Sequence, residues 1–321
     1  MNLNHPFPAR PLTWSHGSAE VWALSGAVHH LELTLPDGRR VRPLAEADWQ
    51  GDEAIALDET IPAHLRFLGG EWACVPFGKS SADPVVHGFG TDNCWTFEDS
   101  SQEDDDAVAL AIDYPEDRPV ARLRRTVRGM RGAARVEASL EATVRRDCVL
   151  PIGPHPILVP GQAGEEVWIE GVRSHGETFP VTFEPGVSRL AAGARFDDAG
   201  ALPLAGGGTV SFGALLNETT EEAFQLYGVD GALRIVYPQS GHGVRLEWRA
   251  EDYPTCLFWI STGGRTAKPW NGRFRGFGVE PLSARFEERG GAGAIAGGRT
   301  LRAGEGWSTR CSIGVGSLSE P

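Results

Sequence analysis

The chain has 321 residues, 41% of them hydrophobic and 23% charged, with a formal net charge of −13. That excess of acid argues against nucleic acid or an anionic membrane surface as the main partner, and says little about a small neutral ligand. No run approaches the roughly 18 consecutive apolar residues that a spanning helix needs, while 41 glycines and 22 prolines without a low-complexity run suit many short strands joined by tight turns.

The first residues, MNLNHPFPARPLTW, lack a basic start followed by an apolar run, so no secretory signal is expected. His29 and His30 adjoin along an expected strand; their side chains should point to opposite faces and not share one metal ion. Leu31–Leu35 alternates apolar and polar before Pro36-Asp37-Gly38, as one arm of a hairpin does. The acidic run Asp99–Asp106 reads as a solvated loop rather than a metal site. Pro119–Val127 and the strictly alternating Val136–Val144 flank Arg128-Gly129-Met130-Arg131-Gly132, which predicts a hairpin with a glycine-bearing turn. Helical signal is weak; the short stretch Glu221–Leu226 is the best candidate. Val244–Trp248 alternates again, and Ser283–Arg302, with its GGAGAIAGG, predicts a turn between late strands. Five cysteines (Cys74, Cys94, Cys148, Cys256, Cys311) are scattered, odd in number and without a CxxC pair. They read as reduced thiols of a cytoplasmic protein, not as a disulfide framework or zinc cage. With no repeat and no linker, the expectation is one all-β domain, largely antiparallel, over residues 1–321.

Four segments set polar or ionisable groups among apolar, glycine or proline neighbours. They are Gly69–Lys79 (GGEWACVPFGK), Val86–Trp95 (VHGFGTDNCW), Leu150–Ile157 (LPIGPHPI), and the stretch from Leu257 through Lys268-Pro-Trp-Asn-Gly272 to Gly276-Phe-Gly-Val-Glu-Pro281. In this order they resemble the galactose mutarotase (aldose 1-epimerase) superfamily, nearest its hexose-6-phosphate epimerase-like branch. The resemblance rests on Gly69-Gly70 leading to Pro76-Phe77-Gly78, His87-Gly88-Phe89 with Trp95 after it, His155-Pro156, and Val279-Glu280-Pro281. It runs from about residue 20 to the end, leaving 1–19 as an N-terminal extension.

The resemblance implies a large antiparallel β-sandwich holding a sugar on a concave sheet. It implies Glu280 as general base, His155 as general acid and His87 as a second histidine on the sugar. Interconverting α and β anomers requires a proton to leave the anomeric hydroxyl while another reaches the ring oxygen. A carboxylate and an imidazole on opposite sides of the sugar would supply both near neutral pH. Thr91, Asp92, Trp95, Lys79, Trp270 and Arg273 are the expected substrate contacts, and Trp259 is expected in the core. No metal or other cofactor is expected; the partner is a small-molecule sugar, and the chain a monomer or homodimer.

Other readings of the same residues stand beside these. Glu280 could pair with Arg273, Arg275 or Arg285, His155 could bond a loop carbonyl, and His87 could simply cap a turn. Where the branch commonly has an arginine after His-Gly-Phe, this chain has Gly90-Thr91-Asp92-Asn93, better suited to hydroxyls than to phosphate. Ile157 stands where an aromatic is usual, which alters one wall of the pocket. These departures keep a non-catalytic carbohydrate-binding or sensing protein as the alternative, and a lyase acting on an acidic sugar as a third.

Overall fold

The predicted hairpin forms: Val120–Gly129 pairs antiparallel with Arg135–Val144 around the expected turn. In the computed structural model, which describes residues 6–99, 106–170, 175–286 and 295–318, this hairpin is central to an eight-stranded antiparallel sheet. Its order is Trp168–Glu170, Ala232–Tyr237, His242–Trp248, Trp307–Ser317, Arg135–Val144, Val120–Gly129, Ala107–Asp113 and Thr96–Phe97. Alternation gives this sheet one wet face, where Arg122 and Arg124 bond Glu98 and Arg124 reaches Glu141. Its other face carries Leu123, Val127, Val136, Leu140 and Ala142 into the main core.

Across that core lies a six-stranded antiparallel sheet ordered Ile157–Leu158, Arg275–Leu282, Thr255–Thr262, Glu221–Tyr227, Gly176–Thr178 and Arg195–Phe196. Phe224, Leu226, Phe258, Ile260, Phe277 and Val279 face the core, so the two sheets form a β-sandwich. The helix expected at Glu221–Leu226 is instead one of its strands, buried along its whole length except at Tyr227. Period two sends Glu221, Ala223 and Gln225 to the opposite face, with Leu257, Trp259 and Glu280 on the neighbouring strands.

A four-stranded sheet of Ala9–Trp14, Gly17–Trp22, Val28–Thr34 and Arg40–Val41 closes one edge of the core. Leu12, Trp14 and Ala19 belong to that core, so from Ala9 onward the expected extension is part of the fold. The Trp14 indole fills the space where Cβ atoms on Gly17 and Gly129 would sit. His29 and His30 depart from expectation: the strand pairing is irregular between Ser18 and Glu20, and His30 has φ 52°. That turn brings both rings toward Glu46, with His29 Nδ1 2.7 Å and His30 Nδ1 4.0 Å from its carboxylate. All five cysteines are unpaired. Residues 100–105 of the acidic run and 287–294 of the glycine run lie outside the described residues. Among the described residues no helix is long and apolar enough to cross a membrane.

One residue breaks the inward alternation. Arg125 points from the eight-stranded sheet into the core, where its guanidinium bonds the carboxylate of Glu71, both essentially inaccessible to water. Removing one partner of such a pair strands a buried charge, whereas replacing both removes it. Glu71→Gln or Arg125→Met should each lower stability by about 3–5 kcal/mol. The double replacement Glu71→Leu with Arg125→Met should cost clearly less than the sum, as read from urea denaturation.

Candidate active site

The second face of the six-stranded sheet floors a cavity of about 440 Å³, within the usual range for small-molecule sites. Register decides its centre. Trp259 lies opposite Ala223 on one neighbour and Gly278 on the other, so a large indole stands between two small residues. The next row places Leu257 opposite Glu280. Glu280 folds back along its own strand into the space Gly278 leaves; a Cβ on Gly278 would overlap its Oε1. Beyond Ala223, Glu221 accepts from the Trp259 indole N–H at 3.2 Å and from the Ser261 hydroxyl. Burial raises its carboxyl to about 7, against the nearby Arg265 guanidinium at 3.6 Å.

His155 enters from the sheet edge. The chain pairs through Gly153–Pro154 with Ala73–Cys74, then joins the six-stranded sheet at Ile157–Leu158. Prolines 154 and 156 restrict the backbone on either side. The His155 N–H donates to Trp72 O at 2.8 Å, Ile157 N–H to Gly70 O at 3.0 Å, and Val279 N–H to Pro156 O at 3.1 Å. The imidazole stacks on Trp72 with ring centres 4.3 Å apart and an interplanar angle of 12°. Its Nε2 is 3.3 Å from Glu280 Oε1. Arg273, Arg275 and Arg285 are occupied elsewhere, by Asp48, by backbone carbonyls and by the Tyr227 ring, so the salt bridge considered for Glu280 does not form. Carboxyl and imidazole stand side by side rather than on opposite walls.

His87 stands edge-on to His155 at 5.1 Å, on a turn whose φ of 67° is sparsely populated for a residue with a Cβ. Asp83 builds that turn by accepting from Val85 N–H at 2.9 Å and Phe89 N–H at 3.0 Å. The Gly78 N–H donates to His87 Nδ1 at 3.2 Å, which leaves the neutral ring's proton on Nε2. A third histidine, His64, lines the cavity from the short helix Ala63–Arg66. Asp92 accepts from both its backbone N–H and its Nδ1, at 2.9 and 2.7 Å. Burial alone would raise the Asp92 carboxyl; these bonds and the proximity of the His64 ring hold it below its ordinary value.

Of the residues expected at the site, His87, His155, Glu280, Lys79 and Trp270 line this cavity. Trp95 does not: it lies in the main core with its indole N–H on Gly90 O at 2.9 Å. Thr91 is fully buried and its hydroxyl donates to His87 O at 2.8 Å, shaping the turn. Asp92 acts on His64, and Arg273 sits off the cavity beside Asp48 and the Trp49 ring. Ile157 packs in the apolar cluster behind the wall. Trp259, expected in the core, is buried in the second apolar cluster and from there also walls the cavity. Sequence reasoning also missed His64, Phe179, Phe183 and Arg265, whose guanidinium lies 4.8 Å from the Trp270 ring centre. None of the four stands in a local motif; strand register and long-range turns bring them together. Among the described residues no group of three or more histidine, cysteine or acidic side chains is arranged so that it could hold a metal ion.

Electrostatically the centre is neutral. Burial pushes the Glu280 carboxyl well above the usual carboxylate range. Burial first, then the neighbouring His64, lowers His155 to about 3, and burial with both neighbouring histidines holds His87 well below its ordinary value.

The sequence matches no protein-family model and no curated protein. Solved structures do match. A protein proposed to be an aldose 1-epimerase from Escherichia coli K12 shares 16% identity at a TM-score of 0.64, over 97% of this chain and all of its own (100%). A galactose mutarotase-like protein from Lactobacillus casei shares 17% at 0.60, over 96% and 100% of the two chains. An aldose epimerase homologue from C. elegans shares 12% at 0.58, over 98% and 100%. The fold is that of the galactose mutarotase-like superfamily, along the whole length of these proteins.

Both buried histidines have folded-state pKa values below the unfolded value of about 6.5, so the unfolded chain binds the extra protons. Their contribution to stability should therefore be complete above about pH 6.5 and fall as the pH drops toward the folded values, by up to about 1.4 kcal/mol per unit for each group. The raised Glu280 and Glu221 carboxyls, protonated only in the folded chain, contribute the opposite slope. Urea midpoints between pH 7 and 5, compared between wild type and His155→Gln, isolate the histidine share: the variant should lose about one proton's worth of the fall toward acid pH.

Proposed function

We propose that the protein is an aldose 1-epimerase, a mutarotase that interconverts the α and β anomers of a sugar by opening and reclosing its ring. The observation that carries this reading is the Glu280–His155 pair, 3.3 Å apart at the end of a cavity walled by Trp259 and Trp270. The anomeric and ring oxygens share one carbon, so two adjacent groups serve both, and indole faces suit the apolar face of a pyranose.

In the neutral form that burial favours, the pair holds one proton, on Glu280. As the bond from C1 to the ring oxygen breaks, Glu280 gives its proton to that oxygen. His155 takes the proton of the anomeric hydroxyl, and C1 becomes an aldehyde. The pair is left as carboxylate and imidazolium. Rotation about C1–C2 presents the other face of the carbonyl. The freed hydroxyl then adds to C1, returning its proton to Glu280 while His155 protonates the new anomeric oxygen. The assignment implied by resemblance, with Glu280 as base and His155 as acid, starts from the other tautomer and needs no further proton. No metal or redox group enters either course.

Polarimetry or exchange NMR over a panel of aldoses tests the reading. At least one aldose should mutarotate faster with the protein, and Glu280→Gln and His155→Asn should each reduce that acceleration by about 10²–10⁴-fold. The double variant should be little worse than either single one, because the two residues act as a unit. The rate should fall on the acid side near the His155 value of about 3, where the pair gains a second proton, and on the alkaline side where the raised Glu280 carboxyl ionises. Failure to accelerate any sugar, or full activity in both variants, would overturn it.

A further inference from the structure

His64 and His87 face one another edge-to-face with ring centres 5.9 Å apart, and they are fixed in opposite hydrogen-bonding senses. The Asp92 carboxylate can only accept, so His64 Nδ1 donates to it and the neutral ring's Nε2 keeps a lone pair. A backbone N–H can only donate, so His87 Nδ1 accepts from Gly78 and its Nε2 carries the hydrogen. Both rings line the cavity, and among the described residues neither Nε2 has a protein partner. The wall therefore offers one acceptor and one donor, each set by a second residue rather than by chance of tautomer.

We propose that His64, oriented by Asp92, is a sugar-binding residue that accepts a hydrogen bond from one ring hydroxyl, while His87 donates to the neighbouring oxygen. This rests on the mutarotase reading of the same cavity and adds to it a means of choosing among sugars. A hydroxyl both donates and accepts, so an acceptor beside a donor fits two neighbouring hydroxyls and leaves one nitrogen unmatched when either hydroxyl is absent. A site built to bond a hydroxyl discriminates strongly against the analogue lacking it, because its own buried polar group is left unpaired. Asp92 does not touch the sugar; it is a positioning residue that holds the tautomer.

The test is a cycle between protein and substrate. Mutarotation of the best aldose and of its set of monodeoxy analogues is measured with wild type, His64→Leu, Asp92→Ala and Asp92→Asn, each checked for folding by thermal melting. His64→Leu should lower kcat/KM on the parent aldose at least about 10-fold, mainly through KM. That loss should vanish on the one deoxy analogue that lacks the hydroxyl His64 binds. Asp92→Ala should reproduce part of the loss on the same analogue pattern, and Asp92→Asn, whose amide oxygen still accepts from Nδ1, should restore most of it. A loss of equal size on every analogue, or no loss at all, would overturn the assignment and leave His64 a packing residue. If wild type accelerates no aldose, the mutarotase reading itself falls and this assignment with it.

Discussion

The buried contact between Glu71 and Arg125 ties the walls of the candidate site to the scaffold of the molecule. Arg125 belongs to a central strand of the eight-stranded sheet, yet its side chain crosses the core to a loop segment. On that segment Gly70 and Trp72 supply the carbonyls that hold Ile157 and His155, and Trp72 supplies the ring on which His155 stacks. A charge pair in a dry core is a costly anchor, since each ion gives up its hydration. Here it fixes in one place a stretch of chain with only a two-residue strand of its own, Ala73–Cys74. The position of His155 thus depends on an arginine in the opposite layer of the sandwich.

The same dryness sets the chemistry of Glu280. Its carboxyl lies on a sheet face between apolar neighbours, with a raised pKa and one imidazole within reach. As an isolated structural element it is unfavourable, and a well-packed apolar residue would serve the fold better. Such trade-offs concentrate where groups must change protonation during work. Gly278 has a matching role: by lacking a side chain it lets the carboxyl lie flat along the strand toward His155.

Much of the fold was legible because half-buried strands advertise themselves. Val136–Val144 alternates cleanly, one face in the core and one in water, and its partner and turn followed from that pattern. Glu221–Leu226 failed for the converse reason. Its polar residues are as buried as its apolar ones, and Glu221, Glu222 and Gln225 are satisfied by partners far along the chain. No local rule distinguishes that stretch from a short helix. The site was legible where a motif carried it, at His87, His155 and Glu280. It was not legible where parity decided: Trp95 and Trp259 look alike in sequence, yet one lies in the main core between the sheets and the other in the second buried cluster, where it meets the cavity. His64 had no signature either, because the carboxylate that orients it lies 28 residues away. Asp92 was noticed, but its partner was not.

The placement of the histidines also separates two kinds of change open to this scaffold. Glu280 and Trp259 are strand residues, and His155 sits at a strand junction pinned by backbone bonds on both sides. His64 and His87 instead ride on a four-residue helix and a glycine-flanked turn outside both large sheets. Substitutions or length changes in those two surface segments can alter which nitrogens face a ligand without touching sheet register. The Glu280–His155 pair and the histidines that face it are thereby carried on different parts of the chain, so the nitrogens presented to a ligand can change while the strand-borne pair keeps its place.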